Sequence, residues 1–375
     1  MKIIILVRIL WASGAQRTAI EEAKTFIKLG HDVKIVFLRE AESGTLFKPL
    51  LAGLDWEVLN KGNYSLFTPL YSYLTGAFMP DRRGEGRVDY DLIRKFPRIV
   101  KREKPDLIIC HDSWSGLAGY YSFRKFKARY YVIVHEKVGR FEIPIIGKIG
   151  NWLERRALSH SNGIYAINTR IAQSVWNVYG LKATVNYHGM DIEEYTAYDQ
   201  KENVILTNAT WDSNRAMPQY LDIIQRLDGY KLHMVGRWRS EEVKNNFVSI
   251  LEKRDLIERV VLMENLSESE LVQEYLKAKF FVRFGLNESG NPHGIVSAIA
   301  HLVPPIVNSE LGISDIIKQN GGGFVIEPNK TEEIIRWIGD NDNIEAYERL
   351  QKQETGITTS FNWIKHCELL LESKF

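Results

Sequence analysis

Cysteine is scarce in this chain of 375 residues; Cys110 and Cys367 are the only two. Two thiols cannot build a disulfide framework, and no Cys/His spacing has the form of a zinc site. A reducing, cytoplasmic setting is the expectation. Charge of one sign is also missing. The 49 Lys and Arg stand against 47 Asp and Glu, a formal net charge of +2, so no global field draws in nucleic acid. No run is long and apolar enough to span a bilayer. The opening Met1-Lys2-Ile3-Ile4-Ile5-Leu6-Val7 is broken by Arg8 and lacks a small-residue cleavage site. It reads as a buried first strand rather than a signal peptide. The Gly-x-Gly-x-x-Gly fingerprint is absent after that strand, which weighs against a dehydrogenase.

What is present is ordinary globular composition, 45% hydrophobic and 26% charged, at a length suited to two domains. Short apolar runs alternate with amphipathic stretches. Expected strands are Ile3–Val7, Asp32–Leu38, Asp106–Cys110, Tyr130–Val134 and Gly163–Ile167, then Val204–Asn208, Lys231–Val235, Val260–Met263, Phe280–Phe284, Pro305–Val307 and Phe324–Ile326. Runs such as Leu107-Ile108-Ile109 are apolar on both faces, as strands of a covered parallel sheet must be. Between the first two, Thr18–Leu29 places Ala19, Ile20, Ala23, Phe26 and Ile27 on one helical face, and Gly30 ends it. Repeated strand–helix–strand units predict an α/β, doubly wound fold. The alternation pauses near His188-Gly189-Met190-Asp191 and restarts, giving two Rossmann-like domains, residues 1–190 and 191–355. A last helix within 356–375, near Trp363–Ser373, is expected to return to the first.

Three segments carry chemistry. Ser13-Gly14-Ala15-Gln16-Arg17 follows the first strand; a small-residue turn there lets a ligand approach helix N–H groups. Asn208-Ala209-Thr210-Trp211-Asp212-Ser213-Asn214-Arg215 follows the first strand of the second half, and Arg215 could clamp a phosphate in bidentate fashion. The third runs from Phe284 through Glu288 to Pro305. A helix is expected to start near Pro292, leaving the amides of His293, Gly294 and Ile295 for a diphosphate. Glu288, at a strand's C-terminal end, suits sugar hydroxyls better than a phosphate.

In this order the segments resemble the retaining glycosyltransferases of family 4, which have the GT-B fold. The first loop is similar to the family's Gly-Gly-Ala-Glu-Arg. Leu29-Gly30-His31-Asp32-Val33 resembles its Leu-x-x-x-Gly-His-x-Val, and Pro105-Asp106-Leu107-Ile108-Ile109-Cys110-His111-Asp112 its Pro-Asp-Val-Val-His-x-His strand. Val134-His135-Glu136 and His188-Gly189-Met190-Asp191 match further family positions. Two positions depart. With Ser289 inserted after Glu288, the second glutamate of the family's Glu-x7-Glu signature is replaced by Ser297, and the arginine of its phosphate-binding Arg/Lys pair is Ala209, with Arg215 near the lysine position.

The resemblance implies two facing domains with a deep cleft between them. It implies transfer of a sugar from a nucleoside-diphosphate sugar to a hydroxyl of a glycan, glycolipid or lipid-linked acceptor, with retention and without a metal or resident cofactor. Its catalytic set here is His135, Glu288 and Arg215. Donor binding falls to Gly14, Asn208, Arg215, Glu288, Pro292, His293, Gly294, Ile295 and Ser297, and acceptor binding to Arg17 and His111. A non-catalytic, nucleotide-sugar-binding regulatory subunit and a sugar-nucleotide epimerase on the same fold are the alternatives.

Asp89-Tyr90-Asp91 and Asp340-Asn341-Asp342 match Asp-x-Asp formally, and no metal is expected there. Asn63–Met79 is rich in aromatic residues. Basic residues cluster at Arg94-Lys95, Arg98, Lys101-Arg102 and Lys104, and at Arg124-Lys125, Lys127 and Arg129. Such a face could rest on the anionic inner face of a membrane as a peripheral contact. No nucleic-acid module accompanies it.

Overall fold

Apolar runs become the central strands of two parallel sheets. The structure, a computed structural model, describes residues 1–11, 14–40, 42–60, 90–139, 146–212, 215–286, 288, 290–327 and 330–372. The aromatic stretch Asn63–Met79 therefore lies outside the described residues, as do Ser13, Asp89, Ser213 and Asn214. The chain divides into two units, Met1–Tyr187 with Trp363–Phe375, and His188–Asn362.

The first unit holds β1 (Lys2–Leu10), β2 (Asp32–Glu40), β3 (Asp55–Asn60), β4 (Leu107–His111), β5 (Tyr130–Val134), β6 (Gly163–Ala166) and β7 (Thr184–Val185). They run parallel in the order β3-β2-β1-β4-β5-β6-β7. Its helices are α1 (Gly14–Lys28), α2 (Tyr90–Lys95), α3 (Pro97–Glu103), α4 (Ser113–Phe126), α5 (Ile146–Ser159) and α6 (Thr169–Tyr179). The second unit holds β8 (Glu202–Trp211), β9 (Lys231–Trp238), β10 (Val260–Met263), β11 (Ala278–Arg283), β12 (Pro305–Asn308) and β13 (Phe324–Ile326), parallel in the order β10-β9-β8-β11-β12-β13. Its helices are α7 (Met217–Arg226), α8 (Glu241–Lys253), α9 (Glu268–Lys277), α10 (His293–Ala300), α11 (Ser314–Asn320), α12 (Thr331–Asn341) and α13 (Ile344–Ser360). The last helix, α14 (Trp363–Glu372), packs on α1 in the first unit.

The central strands are buried through their middles, and β4 along its whole length, its five residues all inside. The strands that sequence reading did not anticipate, β3 and β7, are the outer strands at the two edges of the first sheet. They are only partly buried, so their residues have no need of a continuous apolar run. The first unit ends at Tyr187, three residues before the expected boundary. Helix α13 runs on to Ser360, so the return starts at Trp363 and not at residue 356. Helix α1 starts at Gly14, four residues before the apolar periodicity becomes visible at Thr18.

One buried group in the second unit gives a pH signature. Glu354 on α13 is fully buried, and neither carboxyl oxygen has a hydrogen-bond partner. Burial pushes this carboxyl well above the ordinary carboxylate range, with Lys201 opposing. Desolvation likewise brings Lys201 down to about 8. The folded chain therefore keeps the Glu354 proton where the unfolded chain has released it. The associated stability is intact below the ordinary carboxylate value, about 4.3, and is lost as pH rises toward the folded value. Lys201 adds no slope below about 8, because both states are then charged. Glu354→Gln should remove a decline of up to about 1.4 kcal/mol per pH unit that sets in above the ordinary carboxylate value. Urea titrations at several pH values read this directly; parallel slopes for the two proteins would contradict it.

Candidate active site

In open parallel sheets, ligands sit beyond the strand C-termini where the strand order reverses. Those points lie between β1 and β4 in the first sheet and between β8 and β11 in the second. The residues singled out from sequence collect at both.

At the second switch point, β8 ends at Trp211, fully buried with its indole N–H donating to the Val235 carbonyl at 3.2 Å. The chain then turns through Arg215, and Ala216 takes a left-handed φ of 49° before α7 begins. Arg215 Nε donates to the Thr210 carbonyl at 3.0 Å, and its Nη1 pairs with Glu288 Oε2. On the other side β11 ends at Arg283, 2% exposed, whose Nη2 donates to the same Glu288 oxygen at 2.8 Å. Arg283 also donates to the Phe284 carbonyl. Asp212 lies 4.0 Å from Arg215 and 3.7 Å from Arg239. Three guanidiniums against two carboxylates leave a net positive charge. Burial and then the adjacent Arg283 pull the Arg215 guanidinium below its ordinary value, with Glu288 acting against them. Crowded, half-desolvated like charges of this kind gain when an anion arrives.

The loop carrying Glu288 is held from below. The Phe284 amide donates to the Tyr220 hydroxyl at 2.8 Å. Gly285 exchanges two hydrogen bonds with the Asn308 side chain, at 3.1 and 2.8 Å. A Cβ on Gly285 would press on the Glu288 side chain and come within 2.9 Å of Leu311, so only glycine leaves room for this pose.

Helix α10 follows, with Pro292 at its N-cap. One expectation is corrected here. The Ile295 amide is not available to a ligand, because it donates to the Pro292 carbonyl at 3.0 Å in a tight first turn. His293 and Gly294 supply the first two amides of α10. The His293 ring stacks on His188 with centroids 5.0 Å apart. A Cβ on Gly294 would come within 3.1 Å of Phe281 and 3.3 Å of the Asn208 carbonyl, so the helix start lies close against the end of β8. The buried Tyr275 hydroxyl donates to the Gly294 carbonyl at 3.0 Å. Burial raises that hydroxyl above its ordinary value, while the Asn208 and Ser297 side chains act against it. Asn208, Gly294 and Ser297 thus meet around one tyrosine.

At the first switch point, β4 ends at His111, and Asp112 takes a left-handed φ of 84°. Its carboxylate caps α4, accepting from the Ser115 amide at 2.8 Å, and faces Arg8 across the switch at 3.4 Å. His111 is 1% exposed, and both ring nitrogens are engaged. Nε2 meets Glu22 Oε2 at 2.9 Å and Nδ1 meets His135 Nε2 at 3.0 Å. The expected acceptor contact through His111 is therefore corrected, since its ring has no face or nitrogen left for a substrate. It supports His135, which is only half-buried after β5. Gly14 is the first residue of α1, and Arg17 on the same helix pairs with Glu21 at 3.5 Å.

Sequence reasoning missed Arg283, Asn308, Tyr275, Glu22 and His366. The second Asp-x-Asp match serves structure, with Asp342 accepting from Lys279 at 2.7 Å and from Tyr198 at 2.8 Å.

The profile of Glycosyltransferase Family 4 matches residues 12–194, and that of Glycosyl transferases group 1 matches residues 192–355. The chain is a family 4 glycosyltransferase. Its fold is GT-B, as solved structures of other proteins show. HepE from Anabaena, in complex with UDP and glucose, superposes with a TM-score of 0.77 at 13% identity, over 100% of this chain and 99% of that one. TarM from S. aureus, as a mutant in complex with fondaparinux, alpha-GlcNAc-glycerol and UDP, gives 0.73 at 12% identity, over 99% of each chain. Sucrose-phosphate synthase from Thermosynechococcus elongatus gives 0.72 at 13% identity, over 99% and 98%. No curated protein sequence matches the chain. In this glycosyltransferase no helix among the described residues is long and apolar enough to cross a membrane.

Proposed function

We propose that this glycosyltransferase takes its sugar from a nucleoside-diphosphate sugar held at the β8/β11 switch point, and passes it to a hydroxyl of a glycan, glycolipid or lipid-linked acceptor on the first unit. The observation that carries this reading is the convergence of Arg215 and Arg283 on Glu288 at that point. The solved relatives that bind UDP or UDP-glucose support the donor class. In the reaction the bond from the anomeric carbon to the diphosphate oxygen breaks, and a bond to the acceptor oxygen forms. The acceptor proton leaves with the diphosphate. Negative charge grows on the departing diphosphate. Arg215, Arg283 and the amides at the start of α10 meet it already oriented, which is electrostatic preorganisation. Glu288, released from the arginines by the incoming phosphates, accepts hydrogen bonds from sugar hydroxyls, and His135 contacts the sugar. Attack on the face that the diphosphate leaves retains the anomeric configuration and requires no protein nucleophile, metal or resident cofactor. Asn208 and Ser297 contact the nucleoside, and Arg17 the acceptor.

A panel of nucleotide sugars, assayed with and without acceptors, tests this. Release of nucleoside diphosphate coupled to glycoside formation is expected. Donor binding with no turnover would favour a regulatory subunit, and interconversion of the donor sugar without acceptor would favour an epimerase.

The cationic faces of α2, α3 and the end of α4 are exposed at Arg94, Lys95, Arg98, Lys101, Lys104, Arg124, Lys125 and Lys127. We assign them to peripheral contact with an anionic, cytoplasmic membrane face, where a lipid-linked acceptor would be met. Flotation with anionic and with neutral vesicles should show binding only to the former, weakening with salt. Equal recovery with both would remove the membrane from the account.

A further inference from the structure

The first unit contains a continuous chain of four polar contacts. The Tyr187 carbonyl meets His366 Nδ1 at 2.7 Å, and His366 Nε2 meets Glu22 Oε1 at 2.8 Å. Glu22 Oε2 meets His111 Nε2 at 2.9 Å, and His111 Nδ1 meets His135 Nε2 at 3.0 Å. Three of the residues are buried: Glu22 at 0%, His111 at 1% and His366 at 3% exposure. His366 comes from α14 and Glu22 from α1, so the closing helix supplies one end of the chain.

Each contact needs one proton, and the partners dictate where it sits. A carbonyl only accepts, so His366 Nδ1 carries a hydrogen. Burial alone would raise the Glu22 carboxyl, but positive charge beside it and the hydrogen bonds from the His111 and His366 rings to its two oxygens hold it below the ordinary range, so it is a carboxylate that accepts on both oxygens. His366 Nε2 then also carries a hydrogen, and the ring is an imidazolium. His111 donates to Glu22 through Nε2. The imidazolium already balances the buried carboxylate, so a second cation would be uncompensated. His111 stays neutral with a bare Nδ1, and His135 must donate through Nε2–H.

We propose that His366 is a positioning residue for His135. Its fixed positive charge on α14 neutralises Glu22, keeps His111 neutral and thereby sets His135 as the Nε2–H donor toward His111. Without that charge Glu22 recruits a proton onto His111. His111 then donates through Nδ1, and His135 is driven to the opposite tautomer. The proton arrangement stands on the geometry of the first unit. Its consequence for turnover rests on the proposed role of His135 at the sugar.

Long-range 15N–1H correlation spectra of the histidine rings test the arrangement. In the unaltered protein near pH 7.5, both nitrogens of His366 should be protonated and His135 should show Nε2–H. A bare nitrogen on His366, or an Nδ1–H tautomer of His135, overturns the proposal by itself, whether or not any variant folds. In His366→Gln, His111 should become doubly protonated and His135 should switch to Nδ1–H. A folded variant with His135 unchanged also overturns it. Turnover should fall about 10- to 100-fold in kcat, with a smaller change in KM, because one hydrogen bond at the reacting sugar has its polarity reversed. Correct tautomers with unchanged kcat would refute the positioning role while leaving donor transfer intact. Loss of transfer in the unaltered protein would instead refute the reaction assigned above.

Discussion

Arg215→Ala lowers kcat for sugar transfer by about 10²- to 10³-fold, the usual effect of deleting one preorganised donor to a developing anion. The guanidinium stands on a turn, its side chain 14% exposed. Its removal leaves Glu288 still bonded to Arg283, so no buried charge is stranded. The variant should therefore melt close to the unaltered protein. Steady-state kinetics with the preferred donor, alongside a thermal melt, make the check. A folded variant turning over at near-normal rate would show that the switch-point arginine does not meet the leaving group. Arg215→Lys separates charge from shape. A lysine restores the charge without the planar fork, so partial recovery is expected.

Glu22→Ala lowers stability by about 3–5 kcal/mol, because removing one member of a buried ion pair strands the other. Here the stranded group is His366, whose two nitrogens point at acceptors, and His111 loses the partner of its Nε2 as well. The damage reaches beyond α1. Helix α14 is tied down through His366 and through Leu370 and Cys367 in the core, and Cys367 also approaches the Glu22 carbonyl at 3.9 Å. For a unit of this size the loss corresponds to a melting shift of roughly 6–20 °C. Denaturant titration gives the number, and a loss under about 1 kcal/mol would mean that the pair is replaceable by water. The opposite result would follow for a surface pair such as Arg102 with Glu57, where the arginine side chain is 52% exposed and little is expected.

The central strands were legible because burial on both faces demands uninterrupted apolar runs. β3 and β7 were not, because an edge strand answers to no such demand. Arg215 and Glu288 could be named because each follows a strand end, but their meeting depends on β8 and β11 being neighbours. That pairing joins segments about seventy residues apart, and nothing local encodes it. Arg283 was hidden in plain view. A charge inside the apolar run Phe280–Phe284 is affordable only with a buried partner, and that was the available signal. Glu22 carried the same signal, sitting among Ala19, Ile20, Ala23 and Phe26 on the core face of α1. His366 had none, because its partners lie far away in sequence. Ile295 misled because a helix N-terminus in general leaves amides to spare, whereas this one closes its first turn on Pro292.

The most direct measurement is a calorimetric titration of UDP, GDP and ADP into the unaltered protein and into Arg215→Ala. One nucleoside diphosphate should bind the unaltered protein at a single site, weaken as salt is raised, and lose at least about tenfold in affinity in the variant. Equal affinity in the two proteins, or no binding of any nucleoside diphosphate to the folded chain, would contradict a phosphate site at the β8/β11 switch point.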